Sequence, residues 1–214
     1  MCIRDSGNTS TGSTSYPESD FGETTAGANN EAEGNDQLMA FYWSYVGVPS
    51  ANILIKAFSI YGGSTSGTVK VGVYQDTGSG YPGARLTPAT PDSGSVTSGQ
   101  WNTINLATPL YITSGTKIWL TIQQSTQNVV KQRGEIAGTD RRKRTLAWGT
   151  SWPDPYPTGA SASLWCDSVH VHYVMIKGQV FGTKGVLSET AAIFTSISFY
   201  SHSATGNVRL AVYD

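Results

Sequence analysis

Cysteine is nearly absent, with two in 214 residues, and charge is scarce at 14%. Histidine and methionine number three each. So few cysteines exclude a disulfide-built scaffold. The low charge and a net value of −1 exclude the strongly basic balance of a nucleic-acid-binding domain. No apolar run is long enough to span a bilayer as a helix. No stretch carries a helical apolar period, and no Gly-x-Ser-x-Gly elbow, His-Glu-x-x-His helix or phosphate loop is present. The acids are scattered, mostly in turns, so no carboxylate pair suggests a glycosidase. The expectation is a non-enzymatic chain.

What is abundant is glycine, at 24, with much Ser, Thr, Asn and Val. That mixture disfavours long helices and suits short strands between frequent turns.

Residues 1–6, MCIRDS, resemble a translated sequencing adapter and are set aside as a scar. With them goes Cys2. Cys166, beside Trp165, then has no disulfide partner and reads as a small buried hydrophobe. Residues 7–37 are rich in Gly, Ser, Thr and Asn. They carry Glu18, Asp20, Glu23, Glu31, Glu33 and Asp36 and no Lys or Arg. With only Tyr16 and Phe21 large and apolar, the segment reads as a disordered linker. Residues 38–176 hold ten Lys and Arg against six Asp and Glu, a mild excess of positive charge.

From Leu38 the pattern becomes that of strands. LMAFYWSYV (38–46) is rich in aromatics, and ILIKAFSIY (53–61) is mostly apolar. In TVKVGVY (68–74) Val69, Val71 and Val73 share one face, with Lys70 and Gly72 on the other. Strands follow at 101–107, 117–123 and 168–176. In the last, Val169, Val171, Tyr173 and Met175 alternate with His170 and His172. Many short period-2 strands predict an all-β, antiparallel two-sheet β-sandwich over 38–176.

The chain also repeats itself. ILIKAFSIYGGSTSGTVKVGVY (53–74) aligns without a gap on AIFTSISFYSHSATGNVRLAVY (192–213), Tyr61 on Tyr200, Gly67 on Gly206 and Tyr74 on Tyr213. Residues 177–214 therefore read as the truncated start of a second homologous module, in a fragment of a longer multi-module protein.

Two stretches carry a resemblance: YQDTGSGYPGARL (74–86) and GQWNTINLATPLYITSGTKIWLTIQ (99–123). Their order of Tyr-x-Asp, Gly-x-Pro-Gly, Gly-x-Trp-Asn-Thr, a Pro, and Gly-Thr before a Trp-Leu strand resembles the jelly-roll "choice-of-anchor" modules of large bacterial and archaeal surface proteins. It is also similar to carbohydrate-binding-type sandwiches. One position departs: the family usually has an aromatic before the tryptophan, and here Ile118 precedes Trp119. The resemblance implies extracellular or cell-surface display, adhesion or glycan contact, with neighbouring copies of the same module as partners. It does not define one activity.

The candidate binding stretch is WGTSWPDPYP (148–157). Trp148, Trp152 and Tyr156 on a Pro-rich loop offer flat faces for sugar rings, with Asp154 to accept hydroxyl hydrogen bonds. The competing reading has them cap the end of the core. Arg141, Arg142 and Arg144 of DRRKR (140–144) could grip an anionic glycan or remain a solvated charge run. His170 and His172, two apart on one strand face, have metal-chelating spacing but no evident third ligand, and otherwise read as a solvent-facing pair. Asp76 before TGSG could ligate Ca²⁺ or simply fix a turn. No other cofactor is expected. Two functions follow: a module binding glycan or another surface polymer through its aromatic loop, or a structural spacer repeat of a surface, adhesin or virion-fibre protein.

Overall fold

The computed structural model describes residues 18–34, 36–43, 49, 51–135 and 139–176. The expected second module, 177–214, lies outside the described residues, as do the scar and the linker up to residue 17.

The described chain is all-β, and every strand pairing is antiparallel. In order the strands are β1 (Ser19–Gly22), β2 (Asn29–Asn30), β3 (Gln37–Trp43), β4 (Asn52–Tyr61), β5 (Gly67–Asp76), β6 (Pro82–Arg85) and β7 (Asp92–Val96). Then come β8 (Trp101–Ile112), β9 (Ile118–Gln124), β10 (Lys131–Glu135), β11 (Thr139–Thr145), β12 (Ser161–Ser163), β13 (Trp165–Asp167) and β14 (Val169–Ile176). One sheet runs β1-β14-β4-β8 and a larger one β12-β11-β3-β9-β5-β6, with β7 also on β5. A small sheet runs β13-β10-β2.

One apolar cluster draws on both principal sheets. Phe21, Ile53, Ile55, Phe58, Ile60, Val169 and Val171 come from the four-stranded sheet, and Met39, Val69, Val71, Val73, Leu120 and Ile122 from the larger one. This arrangement is consistent with a β-sandwich. The valine alternation of β5 and β14 places one face of each strand in this core, as period-2 side-chain geometry requires.

β4 is less regular. Its inward residues are Ile53 and Ile55, then Phe58 and Ile60, so the inward phase changes within the strand. The ladder explains it: register to both β14 and β8 shifts between Ile55 and Ala57, leaving Lys56 as the extra residue of a bulge facing β14. The continuous apolar look of ILIKAFSIY is two alternating halves in opposite phase.

β9 and the start of β3 are buried on both faces, and β9 alternates, with Ile118, Leu120 and Ile122 on the core side and Trp119 on the other. Met39 enters the core just described, while Leu38 and Ala40 enter a second cluster with Tyr74, Trp119, Trp152 and Tyr156. The chain after β11 crosses the outer face of the larger sheet and covers it.

The segment read as linker behaves differently from residue 18 onward. β1 pairs with β14 and β2 with β10, and Phe21 is buried against Tyr173, ring centroids 5.5 Å apart. Its composition suggested too little apolar surface to order it. What composition left out is what the segment meets elsewhere in the chain: strand partners, a core for Phe21 and cations for its acids. Glu18 pairs with Lys56 at 3.0 Å, Glu23 with Arg133 at 3.2 Å, Glu31 with Arg141 and Glu33 with Lys143.

Candidate functional site

The aromatic loop is built into the fold. Trp152 and Tyr156 are each 1% exposed. The Trp152 indole N–H donates to Gln123 Oε1 at 3.1 Å, and its ring stacks beside Tyr74 at 6.4 Å between centroids. The Tyr156 hydroxyl is directed at two carbonyls, Leu38 at 2.7 Å and Arg142 at 2.9 Å, on the adjacent strands β3 and β11. Main-chain bonds hold the loop down: Trp152 N to Ala89 O at 3.0 Å and Tyr156 N to Gly83 O at 2.8 Å. The Tyr74 hydroxyl donates to Pro153 O at 2.7 Å. Burial raises the ionisation range of both Tyr74 and Tyr156.

A stacking platform at Trp152 and Tyr156 is thereby corrected, because a sugar ring needs an exposed face and these faces are covered. Large aromatic surfaces gain more from burial against a sheet than from an open loop. Asp154 is exposed, but its Oδ1 accepts the Arg85 backbone N–H at 2.9 Å, fastening the loop to β6. Trp148 is partly exposed, with the Lys70 ammonium 4.5 Å from its ring centroid and donating to its carbonyl.

The basic run is a strand, not a loop, so its side chains alternate between faces. Arg141 is 4% exposed and points inward. Its guanidinium pairs with Glu31, donates to Ser163 Oγ at 3.0 Å, and lies 3.8 Å from both Glu33 and Asp167. Arg142, on the opposite face, pairs with Asp140 at 2.9 Å and sits over the Tyr81 ring at 5.5 Å. Arg144 is exposed, with Nη1 3.4 Å from the Gly159 carbonyl. An anionic-glycan site made of all three arginines is corrected by this split. Asp167 is buried beside Arg141, and burial first, then the neighbouring Glu31 carboxylate, hold its own carboxyl well above the usual range. Cys166 next to it is free and buried, its thiol pushed up to about 12 chiefly by that burial.

Asp76 fixes its turn. Oδ1 accepts Gly78 N at 2.6 Å and Gly80 N at 3.4 Å, and both glycines have the positive φ the turn needs. Oδ2 accepts the indole N–H of the buried Trp119 at 2.8 Å. These bonds give Asp76 the turn-fixing role that the sequence offered beside Ca²⁺ binding.

The histidine pair is the one candidate that gains a member. β1 lies beside β14 with Asp20 opposite His172 and Gly22 opposite His170. Asp20 Oδ1 is 2.6 Å from His172 Nδ1, and Oδ2 is 3.9 Å from His170 Nε2. His172 Nε2 is 2.6 Å from Ser59 Oγ, which lies 3.2 Å from Thr103 Oγ1. His170 is 7% exposed, its ring edge-on to Trp101 at 4.7 Å, which corrects the solvent-facing reading for this residue. Ser59, His172 and Asp20 follow the atom order of a Ser-His-Asp relay. Ser59, however, is 3% exposed and mid-strand, with registered partners His170 and Thr103 on either side. Its backbone is committed to the sheet and forms no oxyanion hole around it.

Sequence reasoning missed Asp20 and Glu31. The available signal was six acids without a base in 7–37, facing a chain with surplus positive charge. Compared with known proteins, the chain matches no protein-family model and no curated protein. Among the described residues, no helix is long and apolar enough to cross a membrane.

Proposed function

We propose that the chain is a non-catalytic module of an extracellular or cell-surface protein, serving as a structural spacer repeat rather than as a lectin. The observation that carries this reading is the burial of Trp152 and Tyr156, the two aromatics best suited by sequence to stack on sugars. A loop invested in covering its own sheet, and a basic strand whose Arg141 is neutralised inside, are features of a self-contained building block. The repeat favours the same role, with neighbouring copies of the module as partners, and the choice-of-anchor resemblance fits display on a surface, adhesin or virion fibre as the setting.

A glycan array probed with the full chain, including neutral and sulfated glycans, tests the proposal. Silence is expected. A hit that disappears in Trp148→Ala, while the protein stays folded, would replace the spacer with the binding module, since Trp148 is the loop tryptophan that keeps exposed surface.

A further inference from the structure

We infer that Asp20, His170 and His172 form a binding site for a divalent transition cation of the zinc class, which fastens β1 to β14. One ligand atom from each of the three lies within 4.8 Å of the other two. The sheet itself creates the site. His170 and His172 project from the same side of β14, and antiparallel register sets Asp20 directly opposite His172. Two imidazoles and one carboxylate suit zinc and its neighbours, while Ca²⁺ and Mg²⁺ prefer sites made wholly of oxygen. Zinc bonds near 2.0–2.1 Å place tetrahedral ligand atoms about 3.3 Å apart. The Asp20 side chain is 42% exposed and can swing to close the wider gaps.

The surroundings of His172 match what a metal-bound histidine requires. With His172 Nδ1 on the metal, its proton must sit on Nε2, and Ser59 Oγ at 2.6 Å is placed to accept it. Thr103 in turn holds Ser59. Burial lowers the proton affinity of His170 and favours the neutral ring that ligates. In the metal-free protein the short contact between His172 Nδ1 and Asp20 Oδ1 occupies the metal's place. A neutral imidazole with its proton on Nδ1 takes the metal there by shifting to the Nε2–H tautomer, with no net proton released, and the remaining coordination positions go to water.

The test is equilibrium dialysis of the metal-free full chain against Zn²⁺ with metal analysis, on the wild type, Asp20→Ala, His172→Gln and Ser59→Ala. We expect one zinc per chain at about pH 7.5, lost by about pH 5 as the imidazoles protonate. Asp20→Ala and His172→Gln should each weaken binding at least about tenfold, and Ser59→Ala should weaken it while preserving stoichiometry. Circular dichroism and melting in EDTA establish that the exposed Asp20→Ala variant is folded. Absence of bound zinc in the wild type, or undiminished zinc in either ligand variant, overturns the site. Ester turnover by metal-free protein that vanishes in Ser59→Ala overturns it in favour of a catalytic relay.

Discussion

Gly72 has almost no room for a side chain. A Cβ there would meet Trp152 Cζ3 at 2.7 Å and Thr87 Oγ1 at 2.6 Å. A glycine inside a strand often marks such a close approach, and here the approaching group is the tryptophan that covers the sheet. Gly72→Ala should therefore destabilise by about 1–3 kcal/mol through overpacking, seen as a lower denaturant midpoint at unchanged m value. Trp152→Ala should cost about 3–5 kcal/mol, because it opens a cavity and removes the hydrogen bond to Gln123 Oε1. Trp148→Ala, at a half-covered position, should stay within about 1 kcal/mol. Equilibrium unfolding of the two tryptophan variants side by side checks the division of the loop into a packed part and a surface part. Sequence showed that the loop was aromatic and rigid. It did not show which tryptophan was covered, because burial depends on Tyr74 and Gln123, more than twenty residues away in the chain.

At the scale of the element, β11 shows how a period of two turns one charge run into two environments. Arg141 reaches Glu31 and Asp167 inside, while Arg142 and Arg144 stay on the other face. Reading DRRKR as a solvated charge run concealed this, since such a run implies no fixed alternation. Arg141→Met should cost about 3–5 kcal/mol by leaving buried carboxylates without their cation, whereas Arg144→Ala should stay within about 0.5 kcal/mol. Thermal or urea unfolding distinguishes them. Asp167 adds a pH dependence. Its folded-state proton affinity is raised by burial and by Glu31, so the folded protein holds this proton more tightly than the unfolded chain does. The associated stability is fully present below the unfolded carboxylate range near about pH 4, and is lost as pH rises toward the folded value. Asp167→Asn keeps the shape and removes the titration. Its stability relative to wild type should climb from acid to neutral pH, measured as the difference in unfolding free energy at matched pH; a constant difference would contradict the assignment.

At the scale of the whole molecule, the strand pattern made the all-β fold legible, since β5 and β14 alternate cleanly. The N-terminal boundary was not legible. Composition measures what a segment can bury alone, and residues 18–34 are ordered by what they meet: Phe21 enters a core built by other strands, and Glu23, Glu31 and Glu33 meet Arg133, Arg141 and Lys143. The boundary therefore yields the most demanding prediction. A chain beginning at Leu38 keeps every strand that the sequence announced, yet it loses the β1 edge of one sheet, the β2 edge of another and the partners of a buried arginine. Exposing Phe21's place in the core costs about 2–3 kcal/mol, and taking Glu31 and Glu33 from the buried Arg141, which keeps only Asp167 and Ser163, costs up to about 3–5 kcal/mol more. Together these rival the entire stability of an ordinary domain, about 5–15 kcal/mol. The truncated chain should lose its cooperative melting transition, or melt far below the full chain, when the two are compared by calorimetry. A synthetic peptide of residues 18–36 supplied in trans should restore part of the transition, and should do so less well with Glu31→Gln. Equal melting of the truncated and full chains would instead make the segment an accessory and place the folding information entirely in residues 38 onward.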